Sequence, residues 1–410
     1  MNCRHCREEL HHIFVDLDFS PISNAMLTKS QLQEPESHYP LKVFVCANCS
    51  LVQIDEMKKA DKIFDEEYTY FSSYSTSWLA HAKAYVDMMM DRFKFNEKSQ
   101  VIEIASNDGY LLQYFKERNV PVLGIDPTKN TAREAEKKGI ETLVNFFTTD
   151  FAEKHLIQQN IAADLILGNN VLAHVPDIND FVRGMKLALN KRGIITMEFP
   201  HLLKLVEQCQ FDTIYHEHFS YLSFIAVKRI FESFGLSMFD VQEIPTHGGS
   251  LRIFAKHHDD ESHEIQPSVN ALIQEELEKG IDQISFYQGF QNRVDKIKYD
   301  TLDFLIRNKR AGKKMIGYGA AAKGNTLLNY CGIKGTDLID YVVDASPYKQ
   351  DKYLPGSHIP VLNKDEIKRT KPDYVIILPW NLKDEISQQL SFIRSWGGQF
   401  VVCIPEIMVF

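Results

Sequence analysis

The chain of 410 residues has no apolar run near the ~18 residues that a helix needs to span a membrane. Its start, "MNCRHCREEL", lacks the apolar core of a signal peptide. A basic surplus is also missing, because 46 Lys and Arg stand against 55 Asp and Glu, for a formal net charge of −9. Proteins that wrap nucleic acid need such a surplus to neutralise phosphates. We therefore expect a cytoplasmic protein that acts on small molecules and binds neither a membrane nor nucleic acid.

Low-complexity tracts, internal repeats and heptad patterns are absent as well. Without a heptad seam, we expect a monomer. The length exceeds the usual size of one domain, and 44% of the residues are hydrophobic. The chain therefore contains enough apolar material for two to four compact units.

Seven cysteines are present, and the first four form two matched pairs, "CRHC" and "CANC". Each pair can place two thiolates on one tight knuckle, so that Cys3, Cys6, Cys46 and Cys49 complete a tetrahedral zinc site. The alternatives are reduced cysteines without a ligand, or a redox pair. Four thiolates leave no open coordination position, so we expect one structural zinc per chain in a domain of residues 1–66.

From about residue 99, β-rich apolar runs alternate with amphipathic helical stretches. The predicted strands read "QVIEIA", "VPVLGID", "ETLV", "ADLILGN" and "GIITMEF", and "YLLQYFKER" and "NTAREAEKKG" are typical of helices. This alternation indicates a parallel sheet covered on both faces. "FDVQEIP" and "LRIFAKH" would complete an edge, and we assign this α/β domain to residues 67–262.

Residues 263–310 are polar and helical, with Gly312 as a stop, and predict a connector of one or two helices. A second α/β unit follows at residues 311–410, with "KKMIGYGAAAKGNTLLNY", "LIDYVVDASP", "PDYVIILPW" and "QFVVCIPE". The predicted fold class is therefore α/β, with a small N-terminal zinc-binding domain and two Rossmann-like units.

The first unit carries a turn of the kind that approaches a nucleotide, "VIEIASNDGYLL". Glu103 ends the strand, and Ala105, Asn107 and Gly109 occupy the turn, where backbone N–H groups and a helix start can face a ligand. Only the last glycine of a GxGxG turn is present, which weakens a dinucleotide interpretation. Asp126 ends the next strand and suits a ribose diol, unless it merely caps the following helix.

The second turn, "IGYGAAAKGNTLL", also runs from strand to helix. Gly319 lies in the turn, Lys323 adds charge suited to a pyrophosphate, and Asp344 follows the next strand. Taken alone this pattern indicates a dehydrogenase. It is not the dinucleotide fingerprint, however, and the chain already has a cofactor fold upstream.

The most concentrated set of ionisable groups is "TIYHEHFSY", residues 213–221. It does not match HExxH, and histidines two apart point away from each other on a helix, which disfavours a shared catalytic metal. A histidine beside a carboxylate suits a base at neutral pH. Structural packing is the alternative for both histidines.

Together these segments, with "YTYFSSYS", "NNVLAHVPDINDF" and "HGGSLR", resemble one family from end to end: the bacterial S-adenosylmethionine-dependent nucleotide-sugar C-methyltransferases. The resemblance implies a class I methyltransferase domain that binds S-adenosylmethionine. It further implies methylation of carbon 3 of a deoxythymidine-diphosphate (dTDP) 4-keto-6-deoxy sugar. O- or N-methylation of another small molecule is the alternative, and a zinc-containing RNA-modifying protein is opposed by the acidic charge.

The resemblance also assigns roles to residues. It implies His218 as the base, with Tyr215, His216 and Glu217 around it and Tyr70 as a hydroxyl donor, unless Tyr70 is a core aromatic. Asn170 and His174 are expected to face donor and acceptor together, with core packing as the alternative. The expected sets are, for catalysis, His218, Tyr70, Tyr215, Glu217 and His174; for the cofactor, Glu103, Ala105, Asn107, Gly109, Asp126 and Asn170; and for the nucleotide-sugar, His216, Gly319, Lys323, Asn325 and Asp344.

Overall fold

A computed structural model of the protein describes residues 1–59 and 71–410. Up to residue 257 the chain forms three strands, a long helix and then an alternating α/β region. In chain order these elements are β1 (His12–Ser20), β2 (Tyr39–Val45), β3 (Val52–Ile54), α1 (Thr76–Phe93), β4 (Val101–Ile104), α2 (Leu112–Lys116), β5 (Val122–Asp126), α3 (Lys129–Lys137), β6 (Thr142–Val144), α4 (Thr149–Phe151), β7 (Ala163–Asn169), α5 (Ile178–Ala188), β8 (Leu189–Pro200), α6 (Leu202–Glu207), β9 (Ser220–Tyr221), α7 (Phe224–Ser233), β10 (Leu236–Ile244) and β11 (Ser250–His257).

The remaining elements form the connector and the second α/β unit. They are α8 (Pro267–Lys279), α9 (Ile284–Tyr287), α10 (Phe290–Arg310), β12 (Met315–Tyr318), α11 (Ala322–Tyr330), β13 (Val342–Asp344), β14 (Val361–Asn363), α12 (Glu366–Thr370), β15 (Tyr374–Ile377), α13 (Lys383–Gln389), β16 (Gln399–Val402) and β17 (Met408–Val409). The connector therefore has three helices where one or two were expected. It ends just before Gly312, whose φ of 74° breaks the helix as predicted.

The central sheet has seven strands in the order β10-β11-β8-β7-β4-β5-β6. Its strands β8, β7, β4, β5 and β6 are parallel, and β10 and β11 form the antiparallel edge that "FDVQEIP" and "LRIFAKH" predicted. The strand order changes direction between β4 and β7. In open α/β sheets, ligands bind beyond the carboxyl ends of the strands at such a point.

The second α/β unit repeats this plan with the order β14-β13-β12-β15-β16-β17. All its strand pairs are parallel except the pair between β16 and β17. Its change of direction falls between β12 and β15, next to the turn that carries Gly319. The α/β fold class with two Rossmann-like units is therefore confirmed.

A third sheet, with the order β1-β2-β3-β9, joins two distant parts of the sequence. Strands β1 to β3 come from the cysteine-containing N-terminal unit, whereas β9 is the end of the 213–221 segment. Val52 pairs with Tyr221 and Gln53 with Ser220, and the amide of Ile54 donates to the carbonyl of Phe219 at 3.1 Å. The last two residues of the segment predicted to be catalytic thus form the edge strand of the N-terminal sheet.

The hydrophobic cores also run across the predicted domain limits. Phe14 of β1 stacks on Phe290 of α10 with ring centroids 4.3 Å apart. One continuous cluster of buried side chains includes Val43 from the N-terminal sheet, Ile214 from the 213–221 segment, and Val342 from the second α/β unit. Because these units share apolar contacts, we expect the N-terminal unit to be stabilised by the rest of the chain. Within residues 1–59 and 71–410, no helix is both long and apolar enough to cross a bilayer.

Candidate active site

The turn after β4 carries three of the residues that the sequence predicted to bind the cofactor. Ala105, Asn107 and Gly109 all have left-handed φ values, of 59°, 50° and 72°. A Cβ on Gly109 would lie 2.5 Å from Cδ1 of Ile140, so this position has no room for a side chain. The turn is therefore packed tightly against its own domain at the carboxyl end of β4.

Two buried carboxyl groups flank this turn, and the first is Glu103 at the end of β4. Its side chain is fully buried, and burial raises the pKa of Glu103 well above its usual value, against a smaller opposite effect of Tyr110. Burial disfavours the charged form of a carboxyl group unless a cation lies near it. The α-ammonium of S-adenosylmethionine carries a positive charge that would favour the ionised form of Glu103.

Asp126 is the second carboxyl group, and it holds the turn together. Its Oδ2 accepts a hydrogen bond from the amide of Asn107 at 2.9 Å. Its Oδ1 accepts from the Thr128 amide at 2.9 Å and from the hydroxyls of Thr128 and Thr131. These donors occupy most of the carboxylate's acceptor capacity. A ribose diol would therefore take the place of the threonine hydroxyls, and ribose binding by Asp126 stays a prediction.

Residues 72 and 73 lie over the cofactor turn, which is the turn that follows β4. The amide of Ser72 donates to Oδ1 of Asn107 at 2.9 Å, and the amide of Ser73 donates to Oδ2 of Asp108 at 3.2 Å. The described part of "YTYFSSYS", residues 71–75, therefore reaches the cofactor turn. Tyr70 itself lies outside the described residues.

The 213–221 segment places His218 in a defined tautomer. Nδ1 of His218 lies 2.8 Å from the carbonyl oxygen of Thr213, which can only accept, so Nδ1 carries the proton. Nε2 then carries the unprotonated lone pair, which accepts a 2.8 Å hydrogen bond from the hydroxyl of Tyr215. Burial, and then the nearby His174, lower the pKa of His218 well below its usual value. His218 is therefore a neutral imidazole whose basic nitrogen contacts a tyrosine hydroxyl.

His174 lies against His218, with ring centroids 4.6 Å apart. Its Nδ1 donates to the backbone carbonyl of Glu217 at 2.6 Å, and burial lowers the pKa of His174 to about 4. The structure thus brings together four of the five residues predicted to be catalytic: His174, Tyr215, Glu217 and His218. Their roles in catalysis stay predictions.

Asn170 contacts a histidine from another loop, and its expected place with His174 at the donor and acceptor stays a prediction. Nδ2 of Asn170 lies 3.0 Å from Nε2 of His247, in the loop that joins β10 to β11. His247 has a left-handed φ of 56°, and burial lowers its pKa to about 3. Asn170 therefore faces a histidine to which the sequence analysis gave no role.

Trp78 of α1 lies between His247 and the cofactor turn. Its ring lies 5.4 Å from that of His247 and 6.0 Å from that of Tyr110, which follows the cofactor turn. His81, one turn further along α1, stacks on Trp78 at 4.9 Å. Nε2 of His81 lies 2.8 Å from Oε2 of the buried Glu198. An aromatic wall therefore runs from the cofactor turn to the β10–β11 loop.

Lys323 of α11 points toward the same loop. Its Nζ lies 3.4 Å from the carbonyl oxygen of His247, 3.2 Å from Oδ1 of Asn381 and 4.9 Å from the ring centre of Trp380. Nε1 of Trp380 donates to Asp212 at 2.8 Å, and burial raises the pKa of Asp212 to about 6. The ammonium of Lys323 therefore lies where the two Rossmann-like units meet.

The other residues predicted to bind the nucleotide-sugar are divided between a turn and a packing contact. Oδ2 of Asp344 accepts from the amide of Ala320 at 2.7 Å, and Gly319 has a φ of 89° with Cδ of Pro379 2.6 Å from the position of a Cβ. Asn325 is buried, and its Nδ2 donates to the carbonyl of Ser23. Its assignment to the substrate stays a prediction.

His216 is turned toward the N-terminal unit. Its Nε2 lies 3.2 Å from the carbonyl oxygen of Pro40, and its ring meets Tyr39 edge-on at 5.9 Å. This placement favours the packing alternative over substrate binding, which stays a prediction for His216.

The four N-terminal cysteines converge. Their sulfur atoms all lie within 4.8 Å of one another, and the pairs Cys3–Cys49 and Cys6–Cys46 are each 3.5 Å apart. Zn–S bonds of ~2.3 Å in a tetrahedron place sulfurs just under 4 Å apart. The sulfur set therefore fits one zinc ion, bound by Cys3, Cys6, Cys46 and Cys49.

Comparison with known proteins agrees with this assembly. Three family models match the chain: a zinc binding domain at residues 3–64, a methyltransferase domain at 79–241 and a C-methyltransferase C-terminal domain at 245–405. C-methyltransferase NovU of Streptomyces niveus is 33% identical over 404 residues, which cover 98% of this chain and 95% of that protein.

Solved structures resemble a smaller part of the chain. Magnesium protoporphyrin IX methyltransferase of Synechocystis, with bound S-adenosylmethionine, is 13% identical, with a TM-score of 0.34 over 43% of this chain and 78% of its own. The PH0226 protein of Pyrococcus horikoshii is 14% identical, with a TM-score of 0.39 over 46% of this chain and 95% of its own.

The fold and the site thus define an S-adenosylmethionine-dependent methyltransferase with a zinc-binding N-terminal unit. Within that class, the chain belongs to the C-methyltransferase family. The predicted enzyme class and the two predicted cofactors, S-adenosylmethionine and zinc, are confirmed.

Purified protein should contain about one zinc per chain by elemental analysis. Replacing one ligand, Cys46→Ser, should lower both the zinc content and the melting temperature, because zinc-binding energy contributes to folding. Cys209→Ser is the matched control, since Cys209 lies outside the sulfur cluster and should leave the metal content unchanged. A stable, zinc-free wild type would contradict the assignment.

Asp126→Asn should weaken binding of S-adenosylhomocysteine by about tenfold or more. The change removes the charge and places an amide where two hydroxyls and two amides now donate. Isothermal titration calorimetry measures the effect, and Asp150→Asn, at an exposed aspartate of the same unit, is the control. Equal affinities in the two variants would remove Asp126 from the cofactor site.

Proposed function

We propose that this C-methyltransferase adds a methyl group to carbon 3 of a dTDP-linked 4-keto-6-deoxy sugar. The observation that carries the proposal is the pair of Tyr215 and His218 beside His174, which presents a neutral basic nitrogen through a hydroxyl. Methylation at a carbon next to a ketone needs such a base, whereas methylation of an amine does not. When bound, S-adenosylmethionine would supply the methyl group to that carbon and leave as S-adenosylhomocysteine.

The base is His218. Its Nδ1–H bond to the Thr213 carbonyl orients the ring, and its Nε2 accepts the proton. Because the hydroxyl of Tyr215 already occupies Nε2, the proton leaves carbon 3 through that hydroxyl, which takes it as it passes its own proton to Nε2. The bond electrons move onto the ketone oxygen as the enolate forms. A base that stays neutral near pH 7 is ready for each turnover.

The enolate oxygen needs donors or a nearby cation. Lys323 supplies positive charge at the junction of the two Rossmann-like units; burial lowers the pKa of Lys323, and the charge of Asp212 opposes that shift. Asp344 and Gly319 form a turn of the kind that takes a nucleotide, so we assign the dTDP group to the second unit. The same ammonium can then face the sugar's diphosphate.

We also propose that the protein works as a monomer in the cytoplasm, on a small-molecule substrate rather than on nucleic acid. This rests on the net charge of −9 and on the lack of a heptad seam in the sequence.

Incubation with S-adenosylmethionine and a dTDP-4-keto-6-deoxy hexose should give a product heavier by one methylene group. Mass spectrometry detects the product, and carbon NMR with a labelled methyl group locates it. The label should appear on carbon 3. A label on oxygen or nitrogen would show that the donor site serves a different acceptor, and no turnover with any keto sugar of a panel would overturn the proposed substrate class.

His218→Gln should lower turnover by about 10²- to 10⁴-fold, because the amide keeps hydrogen bonding but cannot accept the carbon-bound proton. Washout of the carbon 3 hydrogen into deuterated water, with S-adenosylhomocysteine in the donor site, isolates proton removal from methyl transfer. Both His218→Gln and Tyr215→Phe should lose washout. Since the pKa of His218 is lowered, wild-type washout should hold as the pH falls through the ~6.5 of a free histidine and decline only below it.

His216→Gln is the control, because His216 faces the N-terminal unit. Washout that persists in His218→Gln but disappears in His216→Gln would move the base to His216. Loss in His218→Gln but not in Tyr215→Phe would show direct transfer to the imidazole.

A further inference from the structure

The N-terminal unit reaches the catalytic segment with a side chain as well as with its sheet. The turn formed by residues 22–25 extends from the end of β1 and contacts Glu217. The backbone nitrogen and the side-chain Nδ2 of Asn24 both donate to Oε1 of Glu217, at 3.2 and 3.1 Å. Asn24 therefore donates twice, from the zinc-binding unit, to one carboxyl oxygen of the residue that precedes His218.

Glu217 is buried deeply enough for this contact to matter. Glu217 is 1% exposed, and its Oε2 has no hydrogen-bond partner in the described part of the chain. A carboxyl oxygen in that state is expensive to leave unpaired, and an adjacent donor favours the charged form. One oxygen is thus fixed by Asn24, while the other has no hydrogen-bond partner among the described residues.

The turn that carries Asn24 is itself held on its other side. The carbonyl of Ser23 accepts from Nδ2 of Asn325 in α11, and the amide of Ala25 donates to the carbonyl of Ile22 at 3.1 Å. Asn24 therefore projects from a braced turn, and its half-buried side chain has little freedom to leave Glu217.

We propose that Asn24 is a positioning residue for Glu217, through which the zinc-binding unit completes the catalytic site. The contact fixes the side chain of Glu217, the residue that precedes His218 and whose backbone carbonyl accepts from His174. The catalytic consequence rests on the proposed function, whereas the contact itself does not.

Several charges act on Glu217, and they set the direction of the expected effect. Burial raises the pKa of Glu217, and the amide and side chain of Asn24 and the charge of Lys58 oppose that rise. The phenol of Tyr221 also faces it, and the backbone carbonyl of Glu217 accepts from His174. Removing the Asn24 side chain deletes a donor to the charged form, so the pKa of Glu217 should rise further.

The test compares Asn24→Ala and Asn24→Asp with Gln33→Glu. The last variant makes an amide-to-acid change at an exposed position of the same N-terminal unit. Titration of the Glu217 carboxyl carbon by NMR, assigned with Glu217→Gln, needs no substrate. Asn24→Ala should raise its pKa by about one unit, and Asn24→Asp by more, because it adds a like charge. Gln33→Glu should leave it unchanged.

Turnover provides the second measurement. In both Asn24 variants kcat should fall about tenfold. The acidic limb of the kcat–pH profile, which we assign to Glu217, should move upward by the same interval as the pKa of that carboxyl group. The affinity for S-adenosylhomocysteine should stay within about twofold. Unchanged Glu217 titration in both variants would overturn the proposal. So would a fall in melting temperature and kcat without movement of that limb, which is the mark of a purely structural residue.

The two proposals can fail separately. If wild type turns over no keto sugar but Glu217 titrates as expected in the variants, the proposed substrate fails while the positioning contact stands. If wild type methylates the sugar and the Asn24 variants match Gln33→Glu in titration and turnover, the proposed function stands and the positioning role falls.

Discussion

The backbone bonds that hold residues 213–221 are the constraint on which the rest of the site depends. Phe219 is bound on both sides, because its carbonyl accepts from Ile54 of the N-terminal sheet and its amide donates to Ala173 of the methyltransferase domain at 2.8 Å. The hydroxyl of Thr326, in the second α/β unit, donates to the carbonyl of Ile214 at 2.8 Å. Three parts of the chain therefore fix one nine-residue segment. The tautomer of His218 follows from this arrangement, because the carbonyl of Thr213 is held beside Nδ1.

The electrostatics of the site follow from its burial. His174, His218 and His247 all have lowered pKa values, because burial disfavours the imidazolium form. Lys323 adds to this for His218 and His247, since a nearby cation opposes a second positive charge. The result is a group of neutral imidazoles near one ammonium, which suits a reaction that removes a proton and leaves negative charge on oxygen.

The elements that sequence reasoning predicted well are those specified by local patterns. Strand runs such as "ADLILGN" and the paired CxxC motifs each carry their information within a few residues, and the structure places them as expected. Hidden from the sequence were contacts between residues far apart in the chain. Asn24 meets Glu217 and Asn170 meets His247, and no spacing rule relates the members of either pair. The strand β9 was also missed, because two residues at an edge carry no periodicity.

The second unit shows why local pattern can mislead about chemistry. Asp126 accepts the amide of Asn107 after β4, and Asp344 accepts the amide of Ala320 after β12, so the two units share one device for closing a turn. The device explains why "IGYGAAAKGN" taken alone indicates a dehydrogenase. What separates the units is their surroundings: the first turn lies under residues 72 and 73, whereas the helix after the second directs Lys323 toward His247. Function therefore follows from where each turn faces rather than from the turn itself.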